Sequence, residues 1–313
     1  MSIAAKVIAH SRGPNTAEIS TLQVRMPRFI LAQFNTHRAI SKNARSSRAV
    51  PVEKLILEAE TNPVIPLSWG RNRRGMQATE ELNRTEAWRS EAAWLDARDH
   101  AVACAHQLLA IGAHKQIVNR LLEPFLWVDV VATATDWSNF FALRCDRHAQ
   151  PEMQAVAVAM ARALRDSEPS HLGPGMWHLP YVTADELDLL HELQEEAYNA
   201  QKLECVGRWF EEENRCLKLS VGRCARVSYL PFQGGEANPE ADIKLHDRLE
   251  ANGHWSPFEH QARSNAYHVG HSGNFLNWTQ YRQTLKKSVH TSFDYASLDT
   301  FGEQGYVLDE VAA

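Results

Sequence analysis

The most constraining feature of this sequence is a basic stretch from Gln33 to Arg48, which reads QFNTHRAISKNARSSR. No Asp or Glu occurs between Glu18 and Glu53, although the whole chain carries a formal net charge of −5. The cations in this interval are Arg25, Arg28, Arg38, Lys42, Arg45 and Arg48. Guanidinium groups interspersed with serine hydroxyls and asparagine amides suit phosphate and other oxyanions. A solvated basic surface is the alternative, but the apolar residues 29–32 predict a buried element that delivers the stretch to a fixed place.

Composition narrows the class of protein. A chain of 313 residues that is 44% hydrophobic can bury a substantial core. It has no apolar run of the roughly 20 residues that a membrane helix needs, and its N-terminus lacks the layout of a signal peptide. The five cysteines form no C-x-x-C pair, which favours free thiols in a reducing cytoplasm. The fifteen histidines form no H-E-x-x-H motif, so no metal site is expected.

The hydrophobic pattern predicts a chain of mixed helices and strands. Strands are predicted at 3–10, 19–25 and 128–135, the last with a helix as the alternative, and helices at 51–60, 79–113, 115–122 and 152–165. In the helix 79–113, a stripe from Trp88 to Leu109 is predicted to face the core. Loops are predicted at 67–76, where three arginines could hold a cofactor phosphate or be solvated, and at 169–180. The charged residues 184–216 are predicted to be helical.

Three separated motif blocks carry a resemblance to a known family. Thr36 to Ala49 reads THRAISKNARSSRA, and it is similar to the signature R-H-R-x-x-S-x-N-E-x-S-x-R-Y of flavin-dependent thymidylate synthases. This stretch departs from that signature at Thr36, Ala44 and Ala49. Asn139 to Glu152 resembles the family's N-F-x-x-L-R-x-D-x-H-A-Q-x-E block at every specified position, so it carries the most weight among the matches.

The third block lies late in the chain. Leu219 to Tyr229 resembles the family's A-R-V-S strand, and Gly253 to His260 resembles its G-H-x-[ST]-P-F-E-H motif. Most relatives have these elements before the basic signature, whereas here they follow it. The resemblance therefore predicts a circularly permuted, phage-like member of the family, a rearrangement that surface termini tolerate. The stretch 273–282 is either a partial duplicate of the basic element or a packing helix.

The resemblance implies an α+β fold, in which a twisted mixed or antiparallel sheet is flanked by helices. It also implies a single catalytic domain over 1–313, with 181–216 as a helical insertion or connector. Family members are homotetramers whose active sites combine residues from several subunits. The expected location is the cytoplasm, or the host cytoplasm if a phage encodes the chain, with no membrane partner. The acidic balance of the chain argues against a nucleic-acid partner.

The implied activity is the reductive methylation of dUMP to dTMP. Methylene-tetrahydrofolate would supply the carbon and NADPH would supply the hydride through FAD. The residues that match FAD-binding or nearby positions are His37, Arg38, Asn43, His148, Ser228, His254, Ser256 and Glu259. The residues that match nucleotide-binding positions are Gln33, Ser46, Ser47, Arg48, Arg120, Asn139 and Arg144, with Arg48 and Arg120 as phosphate ligands. If one flavin uses both sets, then Ser228, Ser256 and Glu259 must lie close to the basic stretch.

Arg144 is the implied catalytic residue. Its guanidinium would stabilise a pyrimidine deprotonated at N3, and this would direct electron density toward C5. Cys145 is a rival nucleophile, since a neighbouring arginine can lower the pKa of a thiol. The alternative functions are a dCMP methylase or pyrimidine-nucleotide hydroxymethylase of the same chemistry, and a non-catalytic relative that binds nucleotides.

Overall fold

The computed structural model describes residues 2–14, 17–227, 238–265 and 270–286. The strands are β1 (Ala4–Arg12), β2 (Glu18–Pro27), β3 (Ser41–Ala44), β4 (Trp127–Ala134), β5 (Ser170–His171), β6 (Trp177–His178), β7 (Ala262–Ser264), β8 (His271–Ser272), β9 (Phe275–Leu276) and β10 (Trp278–Gln280). The helices are α1 (Leu31–Asn35), α2 (Val52–Thr61), α3 (Arg84–Ala110), α4 (Lys115–Val118), α5 (Ser138–Arg144), α6 (Pro151–Arg165), α7 (Ala184–Ala200), α8 (Leu203–Arg226), α9 (Pro239–Ala251) and α10 (Tyr281–Thr284). Short 3₁₀ turns cover Arg28–Ile30, Ser47–Ala49, Asn119–Phe125 and Ser256–Glu259.

The centre of the fold is a five-stranded mixed sheet with the order β3-β4-β2-β1-β5. Its pairs are antiparallel except for β1 with β5, which are parallel. A second sheet has the order β10-β7-β6, and β8 pairs with β9. The prediction of an α+β fold with a mixed sheet and flanking helices is therefore confirmed. Among the described residues, no helix combines the length and the apolar character required to cross a bilayer.

The main core lies between this sheet and α6. Alternate residues of β2, at positions 22, 24 and 26, are fully buried beside the apolar residues of β4. From α6, Met153, Val156, Ala157 and Met160 pack against them at the i, i+3, i+4, i+7 spacing of one helix face. Each of the Met and Val side chains contributes roughly 1.5–3 kcal/mol through burial. Both periodicities are visible in the sequence, which is why β1, β2, β4 and α6 were predictable.

The opposite face of the sheet is buried but polar. Thr21 Oγ1 lies 2.7 Å from Thr133 Oγ1 and 2.9 Å from His178 Nε2, while His178 Nδ1 lies 2.9 Å from Ser11 Oγ. The chain of hydrogen bonds ends at His260, whose Nδ1 lies 2.8 Å from Thr133 Oγ1. These contacts join the sheet to β6 and to the late part of the chain, so the late residues are docked on the sheet's polar face.

Helices α7, α8 and α9 form a packed group beside this polar face. Arg223 of α8 pairs with Glu186 of α7 and with the buried Asp242 of α9. Gly222 permits the close approach of α8 to α9, since a Cβ atom there would lie 2.3 Å from the carbonyl oxygen of Asp242. An ion pair and a glycine contact thus fix α9 against α8, and α9 leads directly into the turn at 256–259.

Several predicted elements are wrong. The strand predicted in 219–229 is the last part of α8 as far as Arg226, because the apolar run belongs to a helix that is buried on all sides, at every residue from Leu219 to Cys224. The predicted loop at 169–180 contains β5 and β6, which add to the edges of the two sheets. The stretch 273–282 is mainly β9 and β10 rather than a helix.

The core stripe predicted along the helix 79–113 is only partly correct. Trp88 is 69% exposed, and the buried residues of α3 are Val102 and Ala105. The helix begins only at Arg84, after Asn83 and Glu86 form a capping box. Its first turns therefore extend beyond the core that its later turns contact.

The buried histidines make stability depend on pH. Burial lowers the pKa of His178 and of His260 to about 3, whereas an unfolded chain has a histidine pKa of about 6.5. Between these values the unfolded state binds more protons, so the free energy of unfolding falls as the pH falls. We expect a loss of about 2 kcal/mol per histidine between about pH 7.5 and about pH 5, measured by urea denaturation.

The variant His260→Gln retains a side-chain acceptor for Thr133 but removes one titrating group. We expect the pH-dependent loss of its unfolding free energy to be smaller by about 2 kcal/mol. An identical loss in the wild type and the variant would contradict the assignment of a depressed pKa to His260.

Candidate functional site

Strand β3 joins the basic stretch to the late part of the chain. Residues 41 and 43 lie on the same face of the strand because side chains alternate. Asn43 Nδ2 donates to the carbonyl oxygen of Cys224 at 2.9 Å, and Ser256 Oγ donates to Asn43 Oδ1 at 3.2 Å. The side chains of Asn274 and Gln280 each donate to Ser41 Oγ at 3.2 Å. Residues up to 239 positions apart thus meet at one edge strand within a single chain.

A cavity of about 420 Å³ lies at this junction. The residues that line it are Asn43, Ala44, Ser46, Arg48, Ala49, His114, Gln116, Ala225, Leu245, Arg248, Leu249, His254, Ser256 and Pro257. Five of the predicted site residues are in this lining, two from the nucleotide set and three from the FAD set. The lining includes two arginines and two histidines but no Asp or Glu, so the cavity suits an anionic ligand.

Glu259 is the last residue of the 256–259 turn, and its carboxylate lies near cationic side chains. Its carboxylate accepts a hydrogen bond from Arg282, and its backbone oxygen accepts from Gln280 Nε2 at 3.2 Å. Burial lowers the pKa of Lys42 to about 8, and the nearby carboxylate of Glu259 opposes this shift. Ser256 and Glu259 therefore both lie close to the basic stretch, as predicted. Ser228 lies outside the described residues.

Arg144 and His37 form a direct pair. Arg144 Nε donates to His37 Nε2 at 2.9 Å, so the neutral imidazole must carry its proton on Nδ1. The ring of His37 also stands edge-on to the buried Phe140, with 4.9 Å between ring centroids. Burial, and then the cations of Arg144 and Lys42, lower the pKa of His37. The second motif block is thereby attached to the first, and α5 presents Arg144 at its last turn.

Ser47 and Arg120 belong to a different cluster, centred on Glu123. Ser47 Oγ donates to Glu123 Oε1 at 2.6 Å, and Arg120 Nη1 donates to the same oxygen at 2.8 Å. Arg28 Nη2 lies 3.0 Å from it. Burial would raise the pKa of Glu123, but the hydrogen bond from Ser47 and the two arginines lower it below its usual value. Neither Ser47 nor Arg120 lines the cavity.

Four predicted residues lie elsewhere on the surface. Arg38 and Asn139 are exposed, and His148 is exposed with its Nδ1 atom 2.7 Å from Asp146 Oδ1. Gln33 is half-buried, and its Oε1 atom is buried without a hydrogen-bond partner among the described residues. None of these four side chains lines the cavity.

The structure gives no support to the rival role of Cys145 as a nucleophile. Burial raises the pKa of this thiol, and Arg144, although adjacent in sequence, directs its Nε atom toward His37 instead. The other described cysteines that titrate abnormally also have raised pKa values, led by burial. A thiolate nucleophile therefore has no electrostatic support at Cys145.

Sequence reasoning missed Lys42, His114, Gln116 and Arg248. Lys42 was recognised only as part of a charge run, while its depressed pKa follows from burial in the fold. His114 and Gln116 stand at the start of α4, and Arg248 stands in the last turn of α9. The last three reach the cavity only through tertiary packing, and no local pattern distinguishes them from other surface residues.

The pair of Arg144 and His37 can be tested by the titration of His37. We expect the variant Arg144→Ala to raise the His37 pKa part of the way toward about 6.5, because one neighbouring cation is removed while burial remains. Histidine-selective NMR over a pH series measures this. Arg147→Ala is the matched control, since Arg147 is exposed and has no contact with His37. An unchanged His37 pKa in Arg144→Ala would contradict the pairing.

Comparisons with known proteins identify the family to which the chain belongs. A family model described as thymidylate synthase complementing protein matches residues 10–170, which is just over half of the chain. The matched stretch includes the first and second motif blocks and ends before the third. A comparison with curated proteins finds no match.

Two similar solved structures are of a UMP/dUMP methylase, PolB, from Streptomyces cacaoi. The structure with bound 5-Br dUMP is 19% identical with a TM-score of 0.44, and the match covers 52% of this chain and 90% of that chain. The structure with bound 5-Br UMP is 19% identical with a TM-score of 0.43, and covers 52% and 89%. From the family model and the motif blocks inside it, the chain belongs to the thymidylate synthase complementing protein family, that of the flavin-dependent thymidylate synthases.

Proposed function

We propose that this protein is a flavin-dependent thymidylate synthase that methylates dUMP to dTMP. One observation carries the proposal. One cationic cavity is lined by residues of the basic stretch and by residues from 254–257, late in the chain. Among them are residues that match the family's nucleotide-binding and FAD-binding positions. Membership of the family and the hydrogen-bonded pair of Arg144 and His37, which does not line the cavity, support it further.

The side chains at the cavity fit parts of a flavin nucleotide and a pyrimidine nucleotide. Guanidinium, imidazole, hydroxyl and amide groups offer donors for phosphate and carbonyl oxygens, while Leu245, Leu249 and Pro257 offer apolar surface for a flat ring. The residues that would hold FAD are Asn43, His254 and Ser256, and those that would hold the nucleotide are Ser46 and Arg48. Bound FAD would supply redox chemistry, with NADPH as reductant and methylene-tetrahydrofolate as the carbon donor.

Arg144 is the residue that we assign to the pyrimidine. It is half-buried and held at Nε by His37, and its two Nη atoms have no partner among the described residues. A guanidinium that is permanently charged and fixed in direction can stabilise negative charge on a ring deprotonated at N3. The role of His37 is to accept from Nε and so to orient the two Nη atoms toward substrate.

The proposed chemistry uses no enzyme thiolate. The pKa of the Cys145 thiol is raised, which lowers the fraction of thiolate at neutral pH. Stabilisation of the substrate anion by Arg144 therefore takes the place of covalent activation in this proposal.

We also propose that the protein assembles as a homotetramer. Arg38, Asn139 and His148 match family site positions, yet they are exposed and do not line the cavity within one chain. A second copy that contacts this surface would bring them into a shared site. Circular permutation of the chain and the role of 181–216 as an insertion also remain predictions.

The proposal is tested by the variant Arg144→Ala. We expect turnover of dUMP to fall by at least about 100-fold, because one electrostatic stabiliser of the reacting ring is removed, while FAD remains bound. Product analysis with dUMP and dCMP as alternative substrates, together with the flavin absorption spectrum, measures both effects and identifies the base that is methylated.

Cys145→Ser is the matched control at the next residue, and we expect it to retain most of the activity. Near-normal turnover in Arg144→Ala would remove Arg144 from catalysis. A complete loss in folded Cys145→Ser, with a covalent nucleotide trapped on Cys145 of the wild type, would contradict the proposed mechanism.

A further inference from the structure

The cavity contains an arginine from outside all three motif blocks. Arg248 stands in the last turn of α9, and the cavity separates it from the basic stretch that provides Arg48. Leu245 and Leu249 of the same helix also line the cavity, so this face of α9 is one of its walls. The wall is held in place through α8, by the pairs of Asp242 with Arg223 and Arg226.

The two cavity arginines differ from Arg28 and Arg45, which pair with carboxylates. Arg45 Nη1 lies 3.0 Å from Glu58 Oε2, and Arg28 Nη2 lies 3.0 Å from Glu123 Oε1. In contrast, Arg48 and Arg248 form no ion pair with any residue in the part of the chain that the structure describes. Both arginines are exposed, and two cations without an ion pair at a cavity whose lining has no carboxylate suit an anionic ligand between them.

His114, at the start of α4, adds a donor to the cavity lining. Its Nδ1 atom accepts the backbone N–H of Gln116 at 3.3 Å. A neutral imidazole with Nδ1 as acceptor carries its proton on Nε2, so His114 can donate a hydrogen bond without being charged. Ser46 adds a hydroxyl to the lining. Two guanidinium forks, one imidazole N–H and one hydroxyl form a donor set suited to phosphate oxygens.

We propose that Arg248 and His114 complete, with Arg48, a phosphate-binding subsite of this enzyme. The identity of the ligand rests on the proposed function, and its phosphate is either the monophosphate of the pyrimidine substrate or the diphosphate of FAD. The subsite gives α9 a direct part in ligand binding, in addition to its part in packing.

The test is the affinity of the full-length protein for ligands with and without phosphate. Isothermal titration with dUMP, FAD, inorganic pyrophosphate and the phosphate-free nucleoside deoxyuridine compares wild type with Arg248→Gln. We expect Arg248→Gln to weaken binding of the relevant phosphate ligand by about 10- to 100-fold, the value of a lost charge-assisted hydrogen bond. Its affinity for deoxyuridine should remain that of the wild type. The ligand, dUMP or FAD, that Arg248→Gln binds more weakly than the wild type does is the one whose phosphate occupies the subsite.

Lys244→Gln is the matched control, because Lys244 is exposed one turn earlier on α9 and does not line the cavity. We expect it to bind all four ligands as the wild type does. Unchanged affinity of Arg248→Gln for dUMP, FAD and pyrophosphate would overturn the subsite, as would an equal loss in Lys244→Gln.

The outcomes also separate this inference from the proposed function. A wild type that binds neither dUMP nor FAD would contradict the proposed function, while pyrophosphate binding that is lost in Arg248→Gln would still support the subsite. A wild type that binds both nucleotides, with unchanged affinities in Arg248→Gln, would contradict the subsite alone.

Discussion

The side chain of Asn43 is the contact on which the candidate site depends. An asparagine amide both donates and accepts, and here it donates to the end of α8 at Cys224 and accepts from Ser256. Strand β3 is an edge of the main sheet, and an edge needs a cover or a partner. The late part of the chain supplies that cover, and the cavity is the space left between the two. Loss of the amide would free both walls of the cavity.

Largely buried arginines in and just before the basic stretch pair with carboxylates, whereas Arg48 faces the cavity. The buried Arg25 of β2 pairs with Asp129 and Glu58, and Arg45 of the basic stretch pairs with Glu58 as well. The pair of Arg45 and Glu58 holds the stretch against α2, and breaking a buried pair leaves a charge without a partner. Arg48, at the end of the stretch, faces the cavity and pairs with no carboxylate among the described residues. An acidic protein can thus present a locally cationic site.

The sequence was sufficient to predict the elements with a strong hydrophobic pattern and to identify the family. Helix α6 has buried residues at spacings of three and four, and the apolar and β-branched residues of β2 and β4 form runs of strand length, so these elements can be recognised without tertiary information. The end of α8 was misread because a short apolar run with Val221 and Val227 fits either a strand or a buried helix. Only its packing against α9 decides between them.

The site was less predictable than the fold. Motif positions identified Asn43, Arg48 and Ser256, but which arginines stay free depends on acidic residues far along the chain. Arg28, for example, pairs with Glu123, which also accepts a hydrogen bond from Ser47, 76 residues away from it in the sequence. Arg248 reaches the cavity because α9 docks with one particular face toward β3, and the phase of a docked helix is a tertiary property.

The central claim is that the basic stretch and the 256–259 turn of one chain contribute to the same flavin site. The most direct test is the FAD dissociation constant of Asn43→Ala, Ser256→Ala and the double variant, with unfolding free energies measured in parallel. We predict that each single variant binds FAD more weakly and that the double variant loses less than the two single losses together, by at least about 0.5 kcal/mol. Native FAD affinity in Ser256→Ala, or additive losses within about 0.3 kcal/mol, would contradict the claim.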